Sequence, residues 1–231
     1  MLSRYNNQDR ILVAIDCIVF GFEEDELELE VLLVQRNFNP EKGKWSLIGG
    51  FLRQEETLDY AANRILQHLT GVKDIFMEQL YAYSEIERDP EERTISVAYY
   101  TLIKKSEYSE NLKNKYNANW FKIKETPNLI FDHNEMLSKA IRRLRRRTAI
   151  QPIGFKLLPD RFTMRQLQAL YEAILDKKID KRNFYNKMKD LKILTKHKVK
   201  DMTTSSKGSY LYSFNEQEFK EDAEVSFYVK F

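Results

Sequence analysis

Apolar and polar positions alternate with two different periods along this chain, and the change falls near residue 150. Before it, short apolar runs with strand character dominate. Residues 11–22 (ILVAIDCIVFGF) and 27–36 (LELEVLLVQR) are rich in β-branched and aliphatic side chains, with the acidic stretch Glu23–Glu26 between them, which predicts a hairpin. Similar runs at 75–88, 93–104 and 118–123 predict three more strands of one mixed sheet, with Asp89-Pro90 as the turn between the first two. Within this β-rich half, Leu58, Ala61, Ala62, Ile65 and Leu69 recur at helical spacing and predict a helix over 57–70 closed by Gly71. A second helix is predicted from about Asn134 to Arg147, whose end, RRLRRR, fits a solvated helix face near a C-terminus.

Pro152, Gly154 and Pro159 then mark a boundary, which divides the chain into domains 1–150 and 151–231. Beyond it the period is about 3.6. Leu167, Leu170, Tyr171 and Ile174 share one face of a helix over 163–175 with Thr163 as its N-cap, and Phe184, Met188 and Leu191 share one face of a helix over 181–191. Two short strands, about 194–199 and 209–214, flank the polar loop DMTTSSKGS. Helix, short turn, helix and hairpin with a basic loop is the layout of a winged helix-turn-helix.

Composition narrows the function classes. The lone Cys17 excludes disulfide scaffolds and Cys-rich zinc sites, and MLSRYNNQDR lacks the apolar core of a signal peptide, so a soluble, cytoplasmic chain without membrane partners is expected. Charge is divided unevenly. Residues 156–211 hold 14 Lys/Arg against 6 Asp/Glu, a net +8 in a chain of +3, which leaves −5 for the rest. A cluster of this sign gains affinity for duplex DNA by releasing counterions.

Around Gly50 the chain runs GGFLRQEETLDYAANRILQHLTGV, which resembles the Nudix box, G-x5-E-x7-R-E-U-x-E-E-x-G-U with U aliphatic. Gly50, Glu56, Arg64, Leu66, Gly71 and Val72 stand at motif positions without a gap, but the three glutamates that follow the arginine in the family are Ile65, His68 and Leu69 here. The resemblance implies an α+β fold, a Nudix-like α/β/α sandwich with a mixed sheet, followed by the winged helix-turn-helix. In the family those carboxylates hold Mg²⁺ on one helix face, a task for which a hard cation needs oxygen ligands. Their loss leaves no catalytic residues, metal or cofactor to be named, and no nucleophilic triad is visible. An active hydrolase with displaced ligands, drawn from Glu55, Glu56, Glu85 and Glu87, is the enzymatic alternative.

The segment FTMRQLQALYEAILDKKIDKRNFYNKM is similar to the C-terminal part of Nudix-related transcriptional regulators. That resemblance implies a repressor that binds palindromic operator DNA as a homodimer and is released by a small molecule. The branch most alike responds to L-arabinose, which would place the chain in carbohydrate metabolism, while another branch senses ADP-ribose. The expected DNA-facing residues are Lys181, Arg182, Asn183, Tyr185, Asn186 and Lys189 on the second helix, where Arg182 and Asn186 suit base contacts and the lysines suit phosphates. Thr204, Ser205 and Lys207 in the wing, with Thr163 and Arg165 at the first helix, are candidate backbone contacts.

Polar residues that interrupt apolar strands mark a candidate effector site. Asp16 inside ILVAIDCIVF needs a ligand hydroxyl or an internal donor, and Gln35, Lys44, Tyr83 and Glu85 complete a ring suited to a neutral polyol, with Tyr83 and Glu85 on one face of a strand. Trp45 fits packing better than ligand contact, His133 a cap or domain contact, and His197 a surface strand position.

Overall fold

A computed structural model describes residues 8–23, 28–73, 75–107, 117–203, 207–215 and 217. They form two compact units: one of the residues up to Gly21 with Glu30–Thr101 and Ser106–Ala140, the other of Phe22–Leu29, Leu102–Lys105 and Ile141 onward. Among the described residues, no helix is long and apolar enough to cross a membrane.

The larger sheet has seven strands: β1 (Leu12–Phe22), β2 (Leu29–Gln35), β3 (Trp45–Ser46), β4 (Ile48–Phe51), β5 (Glu78–Tyr83), β6 (Thr94–Lys104) and β7 (Ala118–Lys122). Their order is β3-β2-β1-β6-β5, with β4 beside β1 and β7 beside β2. Central strands covered on both faces show continuous apolar runs rather than clean alternation, and Ile15 and Cys17–Phe20 are accordingly shut off from solvent. Helix α1 (Leu58–Thr70) starts where the Thr57 hydroxyl accepts the Tyr60 N–H and stops at Gly71, whose positive φ of 76° suits glycine. It buries Ala61, Ala62, Ile65 and Leu66 against the sheet. Helix α2 runs His133–Ile150, three residues longer than expected at its C-terminal end.

Two strands of this sheet were not expected from the pattern. The β3–β4 stretch WSLIGGF carries two glycines, which lower strand propensity. Gly49 is nevertheless required, because it pairs with Asp16 of β1 and a Cβ there would lie 2.4 Å from the Asp16 carboxylate. The expected strand 75–88 is shorter: β5 ends at Tyr83, since the Arg93 guanidinium takes the Ser84 and Glu85 carbonyls and Arg88 turns inward to Asp132. The Glu24–Glu26 part of the expected hairpin turn lies outside the described residues.

The second unit contains a three-stranded sheet, β8 (Phe162–Thr163), β9 (Leu194–Asp201) and β10 (Ser209–Phe214) in the order β8-β10-β9, with helices α3 (Met164–Leu175) and α4 (Lys181–Asp190). Thr163 and Gln166 form a reciprocal capping box at the start of α3. The turn to α4 is locked by Glu172, which accepts the Ile179 N–H at 2.9 Å, and by Gln168, which donates to the Ile179 carbonyl at 2.9 Å. Asp180 caps α4 by accepting the Asn183 N–H. Leu167, Leu170, Ile174, Phe184 and Met188 make the core, where Phe184 meets Tyr171 edge-on at 5.5 Å.

Candidate functional site

The Nudix-like loop and helix keep their brace and lack their metal ligands. Arg64 donates to both oxygens of Glu56, at 2.5 and 2.8 Å, and to the Phe51 carbonyl at 2.9 Å. Glu56 also accepts the Arg53 N–H at 3.1 Å, so its oxygens are engaged in fastening the loop to α1, and the Arg64 hydrogen bonds hold its carboxyl below the usual range. Where the motif places its first glutamate after the arginine, Ile65 packs hydrocarbon on Gly50. Leu69 offers no oxygen, and among the described residues no group of three or more His, Cys, Asp or Glu side chains is arranged to hold a metal ion. The donor set does not fit Mg²⁺.

Beside this loop lies a cavity of about 430 Å³ within the first unit. Its floor is a buried polar network. The Ser96 hydroxyl donates to Asp16 at 2.5 Å, Arg88 donates to both oxygens of Asp132 at 2.9 and 2.8 Å, and Arg88 also stands 3.8 Å from Asp16. His133, at the first turn of α2, accepts the Leu47 N–H on Nδ1 at 3.1 Å and turns Nε2 toward Asp16 at 3.6 Å. An Nδ1 that accepts a backbone N–H belongs to the neutral ring with its proton on Nε2, and burial lowers the His133 pKa in the same sense. Asp16 is therefore satisfied by internal donors, the second of the two ways in which its burial was expected to be met.

At one side of the cavity a guanidinium meets two aromatic rings. Arg36, which follows β2, lies 4.1 Å above the Phe38 ring and 5.8 Å from that of Phe131, while its Nε–H donates to the Pro40 carbonyl at 2.8 Å.

Of the five expected effector residues, Asp16 and Gln35 line the cavity and three stand off it. The amide of Gln35 donates to the Gly43 carbonyl at 2.8 Å and shapes the adjoining loop. Lys44 pairs with Glu41 in solvent. Tyr83 is buried beside Tyr81, with Lys139 5.2 Å from its ring. Glu85 is exposed in the turn after β5, so the supposed alternation with Tyr83 on one strand face fails. Sequence reasoning missed Arg36, Phe38, Arg88 and Phe131 and treated His133 as a cap or domain contact. The polar–aromatic cluster Arg36–Phe38 directly after an apolar strand was the available signal.

The second unit presents charge outward. Lys181, Arg182, Asn183, Asn186 and Lys189 are exposed on α4, opposite Phe184 and Met188. Arg165 is exposed at the start of α3, but Thr163 is buried and both donates to and accepts from Gln166, so the expected phosphate contact is corrected to a cap. Tyr185 is half-exposed, and its hydroxyl bonds that of Tyr212 on β10, whose pKa is pushed up to about 12 by burial first and by that bond second. Lys207 is exposed at the wing turn and its carbonyl accepts from Lys200. Thr204 and Ser205 lie outside the described residues. The wing also carries a cluster not expected from the sequence: Lys196 and Lys200 stand 3.8 and 4.9 Å from the Tyr210 ring. The period-two spacing of Lys196, Lys198 and Lys200 was its signal.

Comparison with known proteins finds a family match in each half of the chain. Residues 10–144 match the NUDIX domain, and residues 154–214 match the NrtR DNA-binding winged helix domain. The class is thus a Nudix sandwich with a mixed sheet, joined to a winged helix. The ADPR responsive transcriptional repressor NtrR of Acinetobacter baylyi is 31% identical over 193 residues, covering 81% of this chain and 76% of that one. The ADP-ribose pyrophosphatase of Methanocaldococcus jannaschii is 30% identical over 141 residues, 61% of this chain and 79% of its own. The crystal structure of Shewanella oneidensis NrtR superposes with a TM-score of 0.74 at 26% identity, over 88% of this chain and 94% of that one. The chain belongs to the Nudix family and, within it, to the homologues of the NrtR repressors.

Proposed function

We propose that this chain is a transcriptional repressor whose operator binding is released by ADP-ribose, with the Nudix sandwich as a sensor that no longer hydrolyses its ligand. The observation that carries this reading is the pairing of a Nudix loop whose metal positions hold Ile65, His68 and Leu69 with an open cavity beside it. The L-arabinose expectation gives way to the ADP-ribose alternative. A cavity of about 430 Å³ suits a ligand larger than one pentose, and the Acinetobacter relative is an ADPR responsive repressor.

Release follows from linkage. If ADP-ribose binds the DNA-free protein better than the DNA-bound protein, it lowers operator affinity by that ratio, and DNA lowers ADP-ribose affinity equally. A homodimer would set two α4 helices in successive major grooves, which calls for an inverted repeat about one helical turn between centres. Selection of genomic fragments on the purified chain at moderate salt, repeated with ADP-ribose and with L-arabinose, tests the reading. Recovery of an inverted repeat that ADP-ribose alone releases supports it; sequence-blind binding, or release by the sugar alone, overturns it.

The second reading is hydrolysis, favoured by the likeness to the archaeal ADP-ribose pyrophosphatase. It requires Mg²⁺-dependent cleavage of ADP-ribose that Glu56→Gln abolishes. The engagement of Glu56 by Arg64 and Arg53 stands against it, as does the exposure of Glu85 and Glu87 in the turn after β5.

A further inference from the structure

The cavity poses an electrostatic problem for any diphosphate. Asp16, Asp89, Glu91 and Glu92 line it, so an anionic ligand would meet four carboxylates. Two guanidinium groups line it as well, and they are not equivalent. Arg88 is buried and committed to Asp132 through both of its donated hydrogen bonds, with Asp16 close behind. Moving it to a ligand would leave Asp132 unpaired, at a cost comparable to the gain.

Arg36 is differently held. Its Nε–H is fixed to the Pro40 carbonyl and its plane rests on Phe38, which restrains the side chain without occupying its four terminal N–H donors. Among the described residues, those donors make no hydrogen bond to the protein. Burial works against the charged form, and the fields of Asp89, Asp16 and Glu41 work for it. A guanidinium fixed through one N–H and a ring face, with the rest of its fork open to a cavity, is preorganised for phosphate oxygens.

We infer that Arg36 is the specificity-determining residue of the cavity: it grips the diphosphate of the ligand and selects against sugars and uncharged nucleosides, while Arg88 serves the floor and never reaches the ligand. This assignment rests on the ADP-ribose reading. The acidic lining makes the role decisive, because without Arg36 the one guanidinium left in the lining is Arg88, which is already committed to Asp132. Those same carboxylates suit the hydroxyl groups of the two riboses, as acceptors.

Titration calorimetry of the full chain with ADP-ribose, at several ionic strengths, tests it with Arg36→Met and Arg36→Lys. The wild type should bind more weakly as salt rises, because the pair is partly exposed to solvent. Arg36→Met should lose roughly 10- to 150-fold in affinity, the range for a hydrogen bond to a charged group, and its remaining affinity should depend less on salt. Arg36→Lys should keep the salt dependence and recover part of the loss, since it restores the charge without the fork. A loss with the salt dependence unchanged would make Arg36 a stacking platform and overturn the assignment, as would no loss at all. If the wild type does not bind ADP-ribose, the functional reading itself falls and takes the assignment with it.

Discussion

The cavity floor and helix α4 treat polar side chains in opposite ways. On the floor, Asp16, Arg88 and the adjacent pair Asp132 and His133 come from three separated segments and bond mainly to one another, so their donors and acceptors are engaged before any ligand arrives. On α4, Arg182, Asn186 and Lys189 sit within one and a half to two turns of helix, and among the described residues their side chains hydrogen-bond nothing. A buried polar group must be satisfied internally, whereas an exposed one can await a partner. The first arrangement shapes a site, and the second offers contacts.

The sharpest break between the two regions comes from the core of the smaller one. Phe184→Ala should destabilise the winged helix by about 3 to 5 kcal/mol. In urea titrations with binding measured in parallel, DNA binding should fail while ADP-ribose binding persists. Loss of both would mean that the two cores are not separable. Next in size, Arg182→Ala should cost about 1 to 3 kcal/mol of operator affinity if it reads a base. Competition assays on operator variants check this, since an equal loss on every sequence indicates a phosphate contact. Thr163→Ala should cost roughly 0.5 to 2 kcal/mol of stability as a lost cap and leave the salt dependence of DNA binding unchanged. A shallower salt slope would restore Thr163 to the DNA interface.

The smallest effect concerns acid. The His133 value is lowered by burial from an unfolded value of about 6.5, so the unfolded chain binds a proton that the folded chain refuses. This contribution to stability is complete above about pH 6.5 and declines as the pH falls toward the lowered value. Urea midpoints between pH 7.5 and 5 should show the decline, and His133→Gln should flatten it.

The same contrast explains what the sequence discloses. The exposed residues of α4 are legible because one amphipathic helix fixes their common face through spacing alone. Helix α1 was readable for the same reason, and its metal positions with it. The cavity was half legible: Asp16 and Gln35 interrupt or end apolar strands, which marks them individually. Arg88 and Asp132 are 44 residues apart, and nothing local reveals that they meet. Tyr83 and Glu85 were misread because the strand ends between them, an outcome set by Arg93 and Arg88 rather than by propensity. Strand β4 was invisible for a related reason: its Gly49 answers to Asp16 across the sheet and its Gly50 to Ile65 of α1.

Cys17 gives the molecule a built-in clock. Its side chain is fully screened from solvent, its thiol donates to the Ala62 carbonyl of α1 at 3.7 Å, and burial raises its pKa. A thiol so placed is inert to alkylating reagents until the seam between β1 and α1 parts. Its labelling rate therefore counts openings of the sandwich one molecule at a time, and the lone cysteine makes the count unambiguous. An effector that closes on the cavity should slow that clock without touching the sulfur.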